Sequence, residues 1–280
     1  MDTDIKLIEC PRDAMQGIVD FIPTDQKIKY INQLLKVGFH TIDVGSFVSH
    51  KSIPQLKDTS KVLSNIDLSE TISRLLVIIA NLRGAYEASE YDQIDYLGFP
   101  LSVSEEFQKR NTNKTIYESF SVLQDIQNIC VKKNKRLVVY LSMAFGNPYG
   151  EDYHPDIVVD LIDKLCDIEI PIISLSDTIG VSSSKHISML FKNLILEYTD
   201  VEFGAHLHSH PNNWKGKIDA AYDNGCRRFD SAIKGYGGCP MADDKLVGNI
   251  QTEKLVEYFN LPVNNYAFES AVNKSLKIFN

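Results

Sequence analysis

No apolar run in this chain of 280 residues approaches the roughly 20 residues needed to cross a bilayer, so a membrane-spanning helix is not expected. Cysteine is scarce and unpaired in its spacing. Cys10, Cys130, Cys166, Cys226 and Cys239 are five, an odd number, which argues against a disulfide framework and for free thiols in a reducing compartment. Lys and Arg form no basic block, and the formal net charge is -8. Nucleic acid and anionic membrane surfaces are therefore not expected as partners. No Gly-x-Gly-x-x-Gly follows the first strand-like run, so an open sheet binding a dinucleotide lacks its fingerprint. Internal repeats and low-complexity segments are also lacking. Met1-Asp2-Thr3-Asp4 is acidic and runs at once into a strand-like segment, which fits neither a secretory signal nor an Arg-rich transit peptide. A cytoplasmic location is the expectation.

What the chain has is alternation. Ile5–Glu9, Thr41–Val44, Leu75–Ile79, Gln93–Leu97, Leu137–Leu141, Ile172–Leu175, Val201–His208 and Arg228–Ala232 read as short β-branched strands. Between them lie amphipathic stretches at Asp25–Val37, Pro54–Leu63, Gly84–Ser89, Ile116–Val131, Pro155–Cys166, Ser184–Tyr198 and Trp214–Asn224, several closed by glycine. Repeated βα units imply a parallel sheet, and eight of them predict closure into an α/β (β/α)8 TIM barrel. A single catalytic domain over 1–280 is expected, with the barrel at about 5–235 and a cysteine-bearing loop and extra outer helices over 236–280, the helices offering part of a partner surface.

In such barrels the chemistry gathers at the C-terminal ends of the strands. Those ends here read Cys10-Pro11-Arg12-Asp13, Asp43-Val44-Gly45-Ser46, Ser174-Leu175-Ser176-Asp177-Thr178, His206-Leu207-His208 and, beyond the eighth strand, Gly235-Tyr236-Gly237-Gly238-Cys239-Pro240 and Gly248-Asn249. Alternate residues of a strand share a face, so His206 and His208 point the same way and form a candidate pair of metal ligands. The pair alone is compatible with Mg, Mn, Zn or Fe. Two solvated histidines fit an isolated His-x-His about as well. The polar residues converging from the other strand ends favour a site.

Pro11-Arg12-Asp13-Ala14-Met15-Gln16, Ser46-Phe47-Val48-Ser49, Ser176-Asp177-Thr178-Ile179-Gly180-Val181, His206-x-His208 and Gly237-Gly238-Cys239-Pro240, followed by Gly248-Asn249 and Thr252-Glu253, occur in the order of the hydroxymethylglutaryl-CoA lyases. The chain resembles that family, part of a superfamily of metal-dependent TIM-barrel lyases and synthases that includes isopropylmalate and homocitrate synthases. The Gly-Gly-Cys-Pro loop is the specific part of the resemblance. It implies cleavage of (S)-3-hydroxy-3-methylglutaryl-CoA to acetyl-CoA and acetoacetate, chemistry of leucine degradation and ketone-body formation, by a homodimer. It further implies Asp13, His206, His208 and Asn249 as ligands of one divalent cation, Mg or Mn. Arg12, Cys239, Asp43, Asp177 and His206 are implied as catalytic residues, and Arg12, Ser174 and Thr178 as contacts of an acyl-CoA substrate. Within that scheme Arg12 would hold the thioester enolate oxygen, Cys239 would protonate the enolate carbon, Asp43 and Asp177 would orient Arg12 or relay a proton, and Glu253 would order the segment carrying Asn249.

Three departures from the family pattern stand out. Asp43 is one methylene shorter than the expected Glu; the interval from Cys239 to Asn249 is one residue longer than in the animal enzymes; and Gln16-Gly17-Ile18-Val19-Asp20 lacks an expected Lys. His210 is additional and, placed before Pro211, reads as a loop residue. Lys109 to Lys114 offers either CoA-phosphate contacts or a solvated loop before the next helix cap. Trp214, Cys130, Cys166 and Cys226 read as structural. Other readings are a lyase of another 3-hydroxyacyl-CoA, an acetyl-CoA-dependent α-keto acid synthase, and a barrel that keeps its metal for binding alone. The Gly-Gly-Cys-Pro loop and the short C-terminal tail favour the lyase over the synthase, and the thiol among the site residues counts against pure binding.

Overall fold

The computed structural model describes residues 5–238 and 247–279. Elements alternate in chain order as β1 (Lys6–Glu9), α1 (Pro11–Gln16), α2 (Thr24–Leu35), β2 (Thr41–Ser46), α3 (Thr59–Leu63), β3 (Arg74–Ile78), α4 (Leu82–Ser89), β4 (Ile94–Ser102), α5 (Glu105–Thr112), α6 (Ile116–Lys132) and β5 (Arg136–Ser142). They continue as α7 (Pro155–Asp167), β6 (Ile172–Asp177), α8 (Ser184–Glu197), β7 (Glu202–Ser209), α9 (Trp214–Tyr222), β8 (Arg228–Ser231), β9 (Gly248–Asn249), α10 (Thr252–Tyr258) and α11 (Asn265–Ile278). Strands β1 to β8 pair in sequence order and parallel, and β8 returns to β1 through the register Lys6↔Arg228 to Glu9↔Ser231. The sheet is closed, as the eight βα units predicted. Among the described residues no helix is long and apolar enough to cross a membrane.

Two apolar layers hold it together. Alternate strand residues such as Ile42, Val77, Leu97, Val139, Ile173, Ala205 and Phe229 face outward into the layer beneath the helices. Their neighbours Leu76, Ile78, Tyr96, Val138, Tyr140 and Ile172 fill the barrel interior. Fully burying one such side chain is worth about 1.5–3 kcal/mol, which makes strand register hard to slip. The expected outer helices are present at the C-terminus. Helix α11 packs on α2, with Tyr30 edge-on to Phe279 at 5.7 Å and Gln33 donating to the Ala267 carbonyl at 3.0 Å.

Pro11 to Gln16, given no element from the sequence, is a short helix begun by Pro11 at the first helical position, where its missing N–H costs nothing. Two local readings change. Pro54 to Leu63 divides into a 3-10 turn at Pro54–Leu56 and then α3. Lys109 and Arg110 lie in the last turn of α5, capped at its start by Ser104 and stopped by Asn113 at φ 55°. They pair with Glu105 at 3.4 Å and Glu106 at 2.6 Å one turn back.

Glu9 ties the first strand to the last part of the fold. Its buried carboxyl accepts from the Ile233 amide at 3.0 Å and the Thr252 hydroxyl at 2.5 Å, and no cation offsets its burial in that set. Burial pushes its pKa from the ordinary 4.5 up to about 8, against the two hydrogen bonds and with help from Glu253. The native chain therefore holds a proton that the unfolded chain releases between these values. The stability from this group is complete below about pH 4.5 and is lost as pH rises through about 8. Denaturant melts from pH 5 to 8 are expected to show this as a loss of up to about 1.4 kcal/mol per pH unit in wild type relative to Glu9→Gln. Parallel curves for the two proteins would refute it.

Candidate active site at the C-terminal end of the barrel

The site begins with Arg12 on α1. Its guanidinium is enclosed by carboxylates: Nε and Nη2 meet Asp43 Oδ2 at 2.8 and 2.6 Å, and Nη1 meets Asp13 Oδ1 at 2.8 Å. Gln16, one turn on, accepts from Arg12 at 2.9 Å and donates to Asp13 at 3.0 Å. Gln16, the last residue of the Pro11–Gln16 motif, thus completes the ring of bonds. Burial works against the charge on Arg12, but Asp43 and Asp13 outweigh it and raise its pKa. Burial also opposes ionisation of Asp13, yet Arg12, His206, His208 and Asn249 bring its carboxyl down to about 2. Asp43 is wholly buried, and desolvation wins there over Arg12, lifting it to about 6 with assistance from Asp13 and Asp230.

Strand β7 contributes the histidines on one face, as period-two alternation requires. Their rings lie 5.1 Å apart, and each is held through Nδ1: His206 to Asp230 Oδ2 at 3.0 Å, and His208 to the Thr178 carbonyl at 2.8 Å. Both Nε2 atoms are thereby left for other partners, and among the described residues His208 Nε2 is buried without one. Burial and the neighbouring His206 lower His208 to about 4, so it enters the site as neutral imidazole. Burial pulls His206 down as well, but the bond to Asp230 and its charge, with Asp13, raise it overall. The ligand atoms of Asp13, His206 and His208 lie within 4.8 Å of one another.

Asn249 reaches this group through β9, which pairs antiparallel with the end of β7 and sets Asn249 opposite His208. Its amide nitrogen donates to Asp13 Oδ2 at 2.6 Å and to the Tyr236 carbonyl at 2.9 Å. The approach depends on glycine. A Cβ on Gly237, at φ +87°, would lie 2.8 Å from the Asp13 carbonyl oxygen and 2.9 Å from Asn249 Nδ2. Glu253, expected to order the segment carrying Asn249, accepts instead from the Lys234 amide at 3.0 Å in the turn after β8.

The donor set fits a divalent cation. A carboxylate, two imidazoles and an adjacent amide converge, and one imidazole nitrogen is orphaned at 4% residue exposure. An O and N shell without thiolate suits a hard or borderline ion that keeps open positions, and Asn249 would join it by turning its amide oxygen inward.

Asp177 stands apart from the other expected catalytic residues. Ser174 and Ser176 occupy the alternating positions that face the barrel interior, so Asp177 turns outward. There it accepts from the Ser182 amide at 3.1 Å, the Ser182 hydroxyl at 2.5 Å and Lys217 at 2.5 Å. The expectation that it orients Arg12 is corrected to Asp43 and Asp13. Ser174 is fully buried, its hydroxyl unpartnered among the described residues, and the Thr178 hydroxyl accepts from the Met143 amide at 2.8 Å. His210 lies just beyond β7, consistent with a loop position. Cys239 lies outside the described residues.

Sequence reasoning missed Asp230 and Lys217. Asp230 sat inside a run read only as a strand, although a carboxylate at an inward position of that strand was a signal. Lys217 lies on α9 and is 5% exposed, holding Asp177, the Gly180 carbonyl at 3.0 Å and the His208 carbonyl at 2.9 Å. Nothing local marks it. Lys217→Met leaves Asp177 buried and unpaired and is expected to cost about 3–5 kcal/mol in a denaturant melt; a loss under about 1 kcal/mol would show that water replaces the ammonium.

A family model described as HMGL-like matches residues 5–270. The hydroxymethylglutaryl-CoA lyase YngG of Bacillus subtilis is 32% identical over 246 residues, 88% of this chain and 81% of that protein. Among solved structures, the HMG-CoA lyase of Bacillus subtilis superposes with a TM-score of 0.91 at 30% identity, covering 99% of this chain and 94% of its own. That of Acinetobacter baumannii, in complex with coenzyme A and 3-methylmalate, gives 0.89 at 29% identity, covering 100% and 92%. Sequence, fold and site geometry agree, and the chain belongs to the HMGL-like family.

Proposed function

We propose that this protein is a divalent-metal-dependent carbon–carbon lyase that cleaves (S)-3-hydroxy-3-methylglutaryl-CoA to acetyl-CoA and acetoacetate. The observation that carries this reading is the Arg12–Asp13 pair packed against His206, His208 and Asn249 at the catalytic end of the barrel of an HMGL-like chain. Asp13, His206, His208 and, through its amide oxygen, Asn249 would hold one cation, Mg or Mn by this reading. When bound, that ion supplies Lewis-acid polarisation of the substrate's tertiary hydroxyl and carboxylate oxygens.

The remaining chemistry falls to the chain. Among the described residues Asp43 Oδ1 has no hydrogen-bond partner, while its other oxygen holds Arg12. With its pKa at about 6, Asp43 is the carboxyl assigned to relay the hydroxyl proton. As that proton leaves, the bond between the hydroxyl-bearing carbon and the thioester-side carbon breaks, and its electron pair passes to the thioester enolate. Arg12, always protonated and already fixed by two carboxylates, is positioned by this reading to hold the enolate oxygen. Cys239 then delivers a proton to the enolate carbon, giving acetyl-CoA.

For the CoA moiety, a cleft of about 260 Å³ beside the end of β2 is lined by Ser46, His50, Lys51, Lys57 and Arg83. Its cationic lining suits phosphates, whereas Lys109 and Arg110 are engaged by glutamates of their own helix. A cytoplasmic homodimer completes the proposal, in keeping with the family resemblance.

Two measurements test it. Coupled detection of acetyl-CoA and acetoacetate, with Mg or Mn restored after chelation, should show metal-dependent release of both products, and Cys239→Ala should lose most turnover. A folded, metal-loaded wild type releasing neither product would end the substrate assignment. Arg12→Lys keeps the charge but loses the planar fork, and kcat is expected to fall by about 10²–10³; a change confined to KM would remove Arg12 from the bond-breaking step.

A further inference from the structure

Cys10 follows β1 and lies beside His206, and the described chemistry gives it no task. Its thiol, its neighbour Asp230 and His206 form a second group whose ligand atoms all lie within 4.8 Å of one another. Cys10 is 1% exposed and Asp230 is 2% exposed, while the His206 side chain is 12% exposed towards the catalytic end. Among the described residues the thiol's one hydrogen bond is a long contact to the Ile8 carbonyl at 3.7 Å. Asp230 uses Oδ2 for His206 Nδ1, and among the described residues its Oδ1 is buried without a partner. The place is thus closed to water and holds a carboxylate oxygen that no described group satisfies.

We propose that Cys10 Sγ, Asp230 and the Nδ1 side of His206 form a second cation position, selective for thiophilic divalent ions such as Zn2+ or Cd2+. One thiolate, one imidazole and one carboxylate are the ligands of a three-residue zinc site with its fourth position open. The first group, Asp13, His206 and His208, contains no sulfur, so the two positions differ in the ions they prefer. Binding at the second position releases the Cys10 proton to solvent. His206 is the one residue shared by the two groups, so an ion at the second position competes with an ion at the first for that ring.

The test uses the full chain stripped by chelation, with Cd2+ alone as the probe and ultraviolet thiolate-to-cadmium charge transfer as the readout. The band should appear in wild type, persist in Cys239→Ser, and disappear in Cys10→Ser with Cd2+ binding weaker by about tenfold or more. A band that survives in Cys10→Ser, or that is lost in Cys239→Ser, overturns the proposal. Should Cys10→Ser fail to fold, anomalous diffraction from wild-type crystals grown with Cd2+ decides the matter. A peak bonded to Cys10 Sγ supports the second position, and a peak confined to Asp13, His206 and His208 refutes it. Neither readout requires turnover, so the outcome is independent of the substrate assignment.

Discussion

A guanidinium that cannot lose its proton lies almost buried between two carboxylates, and the catalytic end of the barrel is arranged around that fact. Arg12 is 9% exposed and bonds Asp43 on β2, Asp13 beside it and Gln16 one turn later. A buried charge with a missing partner costs several kcal/mol, so these bonds fix the rotation of the short helix α1. That rotation is what turns Asp13 towards the histidines. The pair also separates the two acids chemically: Asp13 stays ionised, whereas Asp43, more deeply buried, is lifted to about 6. Two identical side chains thereby acquire different capacities from their surroundings.

The histidines depend on partners from neighbouring strands. Asp230 comes from β8 and Thr178 from just beyond β6, the two elements that flank β7 in the closed sheet. Each takes an Nδ1, which leaves both Nε2 atoms to serve the site. Such outer partners set tautomer and ring orientation at metal-ligating histidines. Lys217 extends the support outward by holding the His208 carbonyl, the Gly180 carbonyl and Asp177 together. Here packing and electrostatics act in the same direction, because the ammonium that neutralises Asp177 also stitches the turn after β6 to β7.

Much of this was legible in the chain. Period-two alternation placed His206 and His208 on one face, and the βα alternation put Arg12, Asp13, Asp43 and the histidines at one end of a barrel. Asp177 shows where that reading stops. A strand end carrying Ser174, Ser176 and Asp177 looks uniformly polar, and only the phase of the strand, set by which neighbours fill the interior, decides that the serines face inward and the aspartate outward. Asp230 and Lys217 were missed for a related reason. Each gains its role from a group distant in sequence, 24 residues away for His206 and 40 for Asp177.

The sequence by itself determined the number and order of the βα units and the set of reactive side chains at the strand ends, because local periodicity reports burial over a few residues. Tertiary structure decided how those side chains were divided. Closure of β8 onto β1 brought Asp230 and Cys10 beside His206, and the antiparallel return of β9 onto β7 carried Asn249 back to Asp13. Those pairings depend on sheet register and on glycine backbones that permit close approach, and both are set by contacts between residues far apart in the chain.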